Sequence, residues 1–188
     1  MTWFGPYLVG CALLVVAGLG KAVRPGDSAR ALAVVVPGVP PSVLRRAIRT
    51  LALAEAGLGL AAAVTPHRTL AAAVALSYLV FAVFILFVRL RHGPLASCGC
   101  FSTPDTPATW FHVAANLALA STAAAVGASG SSEPLFPLLA RQPLDGVPLV
   151  ASCAVATWLL LLTLVGLARL SAARTWRDAP GLPVGGGR

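Results

Sequence analysis

Acidic residues are scarce in this 188-residue chain: six, against 14 lysines and arginines. No pair of carboxylates is available for acid–base work of the glycosidase kind, and there is no phosphate loop, no Ser-His-Asp constellation and no internal repeat. These absences remove the common hydrolytic, nucleotide-cleaving and solenoid classes. Charge of either sign is thin, at 11% of residues, against 57% hydrophobic residues and a mean hydropathy of +0.84. Such a composition belongs to a polytopic membrane protein, with the bilayer as its solvent. The N-terminus, Met1 to Pro6, carries no basic side chain ahead of its apolar run, so a cleaved signal peptide is not expected.

What is present is length without charge. A span needs about 20 mostly apolar residues to cross roughly 30 Å of hydrocarbon, and five stretches qualify: Tyr7 to Val23, Leu44 or Thr50 to Val64, Thr69 to Leu90, Ala108 to Val126, and Val147 to Leu170. The second is short in its clean apolar part, Leu51 to Val64. It needs the preceding turns, with Arg45, Arg46 and Arg49 snorkelling outward, to complete the crossing. The expected fold class is therefore all-α, a bundle of transmembrane helices.

Basic residues near span ends are retained on the cytoplasmic side. Lys21, Arg24, Arg30, Arg45, Arg46 and Arg49 fall between spans one and two, Arg89 and Arg91 follow span three, and Arg169, Arg174, Arg177 and Arg188 end the chain. Arg68 and Arg141 alone fall on the other side. The sequence predicts a multi-pass protein of the inner (plasma) membrane with its N-terminus outside, its C-terminus inside, and the segment after span three at the cytoplasmic face. The net charge of +8 is explained by this anchoring and by anionic lipid head groups. With no aromatic interleaving or recognition module, nucleic acid is not an expected partner.

The connections are uneven. Ser28 to Val36 is apolar enough for a short interfacial helix, Pro37 to Pro41 breaks it, and Ser42 is placed to cap the helix that follows. Residues 129–146, rich in Gly, Ser and Pro, read as an irregular external loop, and residues 171–188 as a basic disordered tail.

Few polar side chains remain at depth. Glu55 is the only acid inside an expected span, and an ionisable group in hydrocarbon costs on the order of 3 kcal/mol or more without a partner. Counted inward at about 1.5 Å per residue, Lys21, Glu55, His112 and Asn116 fall in one layer near the cytoplasmic edge. His112 and Asn116, four apart, share a helix face. Each has a plainer reading: Glu55 as glue for Lys21, His112 as an interfacial anchor, Asn116 as an interhelical hydrogen-bond donor. Ala52, Ala56, Gly59 and Ala63 read as a close-packing stripe, and Cys11 and Cys153 as small apolar residues within spans.

Ser97-Cys98-Gly99-Cys100-Phe101 lies in the polar gap between spans three and four. Free thiols in a polar loop are open to oxidation, and a disulfide between residues two apart closes a small strained ring, easily reduced. The pair suits exchange better than stapling. The plain alternative is two unused thiols. Cys98, Cys100, His92 and His112 also make a two-sulfur, two-nitrogen set for zinc, although the usual spacing puts two to four residues between the cysteines. No metal site is assigned.

Lys21 closing Ala17-Gly18-Leu19-Gly20-Lys21, the buried Glu55, Cys98-Gly99-Cys100-Phe101 and Asn116 early in the next span together resemble the MauE family of methylamine utilisation proteins, relatives of the DoxX-like membrane proteins. The family motif usually continues with Gly where this chain has Ser102, and the family Asn often follows Arg where this chain has Ala115. The resemblance implies a four-helix membrane domain over residues 1–128, with the span at 147–170 as an addition. It also implies a part in maturing a disulfide-rich partner of the methylamine dehydrogenase type, alongside a thioredoxin-like protein.

The expected function is therefore thiol–disulfide exchange at Cys98 and Cys100, with Lys21, Glu55, His112 and Asn116 as a supporting polar layer and membrane lipids and a thioredoxin-like protein as partners. No cofactor motif is present, and a quinone acceptor has no residue signature here. A non-enzymatic assembly scaffold and a small-molecule or metal transporter are the alternatives. One conflict stands: disulfides form on the exoplasmic side, whereas the charges set the two thiols inside. Either span two is misplaced or the pair trades electrons with a cytoplasmic donor.

Overall fold

In a computed structural model the chain is described over residues 3–92, 109–130 and 143–177, with single positions at 135, 137 and 140. Six helices are delimited among the described residues: α1 (Phe4–Val23), α2 (Pro25–Val35), α3 (Pro41–Val64), α4 (Arg68–His92), α5 (Trp110–Ser129) and α6 (Pro143–Arg177). No strand occurs among those residues. All but α2 are long and apolar enough to cross a membrane, which makes the chain an all-α, multi-pass membrane protein.

Proline sets most of the helix boundaries. Pro25 and Pro41 open α2 and α3 in the first turn, where a missing N–H costs nothing. Gly38, at φ 89°, turns the chain between them, in the left-handed region where a side chain is strained. Thr109 caps α5, its hydroxyl accepting from the His112 N–H at 3.4 Å, and Gly130 ends that helix at φ 89°.

α1 is the hub. It packs most extensively on α3, while α4 packs on α5, and α6 leans chiefly on α1. The α1–α3 contact is at backbone distance: a Cβ on Gly18 would sit 2.6 Å from the Ala52 carbonyl oxygen, and one on Gly59 2.7 Å from that of Cys11. In lipid, where no hydrophobic effect drives helices together, approach of this kind supplies the packing energy. Of the two tyrosines, Tyr7 ties α1 to α3 within their pair, and Tyr78 ties α4 to α1 and so one pair to the other. Tyr7 Oη donates to Ala62 O at 3.2 Å, and Tyr78 Oη of α4 donates to Gly10 O of α1 at 2.5 Å. Around them Tyr7, Cys11, Leu14, Ala62, Val74, Tyr78 and Ala120 form the main core. A smaller cluster of Ala29, Leu44 and Ile48 seats α2 on the start of α3.

The structure corrects several boundaries. The second span starts at Pro41, so the three arginines lie inside one continuous helix with the apolar run. Ser42 falls within its first turn and caps nothing, because Pro40 occupies the cap position with no side-chain bond. α5 begins at Trp110, after Thr109, and extends to Ser129. The described positions of the expected irregular loop, Leu135, Pro137 and Ala140, are helical, and α6 already begins at Pro143. It continues to Arg177, seven residues into the tail expected to be disordered. In the packing stripe, Ala62 is the fully buried residue and Ala63 is only half-buried.

Candidate functional site

Glu55 stands between Ala52 and Ala56, the two residues against which Gly18 closes. One turn on from Gly18, Lys21 reaches across to it, and the ammonium donates to Glu55 Oε2. Lys21 is 8% exposed and Glu55 5%. The tight glycine crossing thus does more than pack: it sets two oppositely charged side chains at contact on the one helix pair that cannot spread. Neither charge would be tolerated singly at this depth. The same ammonium lies 4.5 Å from the centroid of the Phe81 ring, which gives α4 a cation–π hold on the pair.

Beside Lys21 is a cavity of about 40 Å³. Leu14 and Ala17 line it from α1, Tyr78 and Phe81 from α4, Asn116 from α5, and Leu164 from α6. At roughly 10 to 15 Å³ per water by this measure, it holds a few waters. An ammonium has three donors, and Asn116 adds an amide, so the space suits water or a small oxygen-bearing group.

Asn116 does not form the interhelical bond expected of it. Asn116 Nδ2 donates to the His112 carbonyl at 2.7 Å, within its own helix, while its side chain faces the cavity. His112 is not an interfacial anchor: it is 1% exposed, with its Nδ1 2.7 Å from the Thr109 hydroxyl. Trp110, 56% exposed, takes the interfacial place instead, and the Arg89 guanidinium lies 4.9 Å from its ring centroid. That contact joins the last turns of α4 to the first turn of α5.

Of the residues predicted for the site, the structure brings Lys21 and Asn116 to one cavity, with Glu55 paired to Lys21 behind it and His112 a turn away from Asn116. Cys98 and Cys100 lie outside the described residues, as does the His92 side chain. Among the described residues no three His, Cys, Asp or Glu gather as metal ligands. Cys11 and Cys153 are buried in apolar packing, the latter donating from Sγ to Gly5 O at 3.6 Å.

Sequence reasoning missed Tyr78, Phe81 and Leu164, which look like ordinary span residues. Tyr78 and Phe81 are three apart and so share a face, but nothing marks that face as the one turned to Lys21. Thr109 did carry a signal, a Thr just before an apolar helix.

No curated protein and no solved structure matches the chain. The family match covers α1 to α5, among them the α1 and α3 that carry the Lys21–Glu55 pair, and stops at the end of α5, which leaves α6 outside it. Over residues 1–129, more than half its length, the chain matches the family described as methylamine utilisation protein MauE, and it belongs to that family.

Proposed function

We propose that this MauE-family membrane protein exchanges disulfides with a partner protein through Cys98 and Cys100. The reading is carried by one juxtaposition. Two cysteines a single residue apart lie in the segment joining α4 to α5, whose anchoring turns sit at the end of the bundle that holds the Lys21–Glu55 pair. Family membership supports it, and the family's description ties its members to methylamine utilisation. A disulfide-bearing subunit of a methylamine-oxidising enzyme, reached through a thioredoxin-like protein, is the partner class proposed first.

In the reducing direction, a thiolate of the pair attacks one sulfur of the partner's disulfide, forming a mixed disulfide and expelling a partner thiolate. The second cysteine attacks the first, closes the Cys98–Cys100 bond and expels the other thiolate. Two electrons pass to the partner, and the two thiol protons of the pair end on its sulfurs. The strained ring makes the step easy to reverse, so the same pair oxidises a partner dithiol. Lys21, held by Glu55, is the cation proposed to raise the thiolate fraction, since a positive charge beside a thiol favours its ionised form.

The charge distribution supports an N-terminus outside and the α4–α5 segment at the cytoplasmic face of the plasma membrane. α3 is helical and span-length throughout, so a local flip of topology has no support in it. The donor or acceptor is then a cytoplasmic dithiol protein. A transporter has little room in a cavity of about 40 Å³, and a scaffold has no need of paired thiols.

The test is trapping and labelling in one background, with Cys11 and Cys153 replaced by Ala. Cys98→Ser and Cys100→Ser, singly, are expected to accumulate mixed disulfides or lose them according to which sulfur attacks first. A membrane-impermeant thiol reagent in intact cells is expected to label neither residue before permeabilisation. A double Ser variant that matures the partner at the full rate overturns the proposal.

A further inference from the structure

The start of α3 carries charge that the protein does not neutralise. Arg45, Arg46 and Arg49 are all exposed on its first three turns. Arg49 lies four residues from Arg45 and three from Arg46, which brings it beside both on the helix surface and sets like charges together. Among the described residues no side-chain partner falls on Arg45 or Arg46, and Arg49 donates only from Nε, to the Ala22 carbonyl at 3.2 Å. The acids of α2 and α3 are already taken: Asp27 pairs with Arg30 and Glu55 with Lys21. The first turn of α3 holds no acid either.

Depth decides what can supply the missing anion. The apolar part of α3, Leu51 to Val64, covers about 21 Å at about 1.5 Å per residue, some 9 Å less than the roughly 30 Å of hydrocarbon. The shortfall is about six residues, the stretch from Arg45 to Thr50. These guanidiniums therefore stand at the hydrocarbon boundary and extend into the phosphate layer. Just inside them, on the side of the helix that Arg46 and Arg49 share, Leu53 is 55% and Leu60 60% exposed, an apolar surface for acyl chains. On the other flank, α2 is fixed to Leu44 and Ile48 by its own small apolar cluster, so the corner is rigid.

The geometry points to an anionic phospholipid bound at the start of α3, its phosphate held by Arg45 and Arg46 with Arg49 beneath, and its chains lying on Leu53 and Leu60. Guanidinium forks match phosphate oxygens in pairs, which a diffuse counterion layer does not exploit. The occupant is a lipid because charge and apolar surface adjoin on the same helix. A soluble phosphate would use the first and leave the second bare.

The full chain in neutral-detergent micelles is titrated with phosphatidylglycerol and with phosphatidylcholine, and bound lipid is counted by native mass spectrometry. Phosphatidylglycerol is expected to bind at least about tenfold more tightly. An Arg45→Gln/Arg46→Gln variant is expected to lose about 30-fold in that affinity, at roughly fivefold for each basic side chain at a membrane surface. Arg45→Lys/Arg46→Lys, which keeps both charges but not the forks, is expected to recover only part of it, which separates loss of charge from loss of fold. The site is overturned if the Gln variant binds as the parent does, or if the two lipids bind alike. Displacement by glycerol 3-phosphate at the same concentrations as the lipid makes the occupant a soluble anion and overturns it also.

Discussion

Replacing Glu55 by Gln removes one charge from a pair buried to 5% and 8% exposure and leaves the Lys21 ammonium facing the Phe81 ring and a cavity of a few waters. Breaking a buried pair from one side costs about 3 to 5 kcal/mol. The ring and the cavity water return part of this, so about 3 kcal/mol is expected. Lys21→Met strands the carboxylate instead and is expected to cost at least as much. The double variant Lys21→Met/Glu55→Leu strands nothing, and replacing a buried pair by apolar residues is often neutral or better, so it is expected within about 1 kcal/mol of the parent. Two single losses summing to about 6 kcal/mol against a double loss near 1 give a coupling of several kcal/mol, beyond the roughly 0.5 to 3 usual for contacting residues. Reversible unfolding by sodium dodecyl sulfate in mixed micelles, followed by far-ultraviolet circular dichroism, measures all three. Single losses below about 1 kcal/mol, or losses that simply add, refute the buried-pair reasoning. The double variant also separates stability from chemistry: if it folds but no longer traps a mixed disulfide, the pair serves the exchange and not only the fold.

Two further outcomes test the packing. Gly59→Ala places a methyl 2.7 Å from Cys11 O and 3.0 Å from Val15 Cγ2, and overpacking at about 1 to 3 kcal/mol outweighs the gain of up to about 1 kcal/mol in helix propensity. Gly57→Ala, which meets nothing within 4 Å, is expected to be neutral or stabilising in the same unfolding assay, and matching signs for the two would count against the crossing. Thr109→Ala removes the α5 cap at a cost of about 1 kcal/mol and breaks the contact of its hydroxyl with His112 Nδ1. Faster amide exchange confined to the first turn of α5, reversed by Thr109→Ser, is the expected signature.

The helices were legible because the bilayer imposes a length and a composition that few sequences meet by accident. Glu55 was legible because one acid in hydrocarbon demands a partner, and Lys21 was the cation at matching depth. Faces were harder. Depth along a span follows from counting, but rotation about it depends on the neighbours, so Asn116 was assigned a partner on another helix when its amide turns back to His112 O. His112 looked interfacial beside Trp110 and Phe111, yet successive residues point about 100° apart, and it takes the buried side while Trp110 takes the lipid. Tyr78, Phe81 and Leu164 carried no signal, since apolar and aromatic residues in a span look alike whether they face lipid or a cavity. The ends of α6 were misjudged for a related reason. Pro, Gly and Arg mark chain that leaves the membrane, and a helix can continue past that point.

The glycine crossing has a mechanical side. Backbones that touch at Gly18 and Gly59 cannot slide or tilt without a clash, so α1 and α3 move as one body, and α4 with α5, closely packed, make another. Contact between the two bodies is thinner, and the cavity lies along that seam, with Lys21 fixed to one side and Phe81 and Asn116 to the other. Any deformation of low cost therefore opens or closes this seam. It would alter the distance from the ammonium to the α4–α5 end, which carries the cysteine segment, while leaving the ion pair itself unstretched.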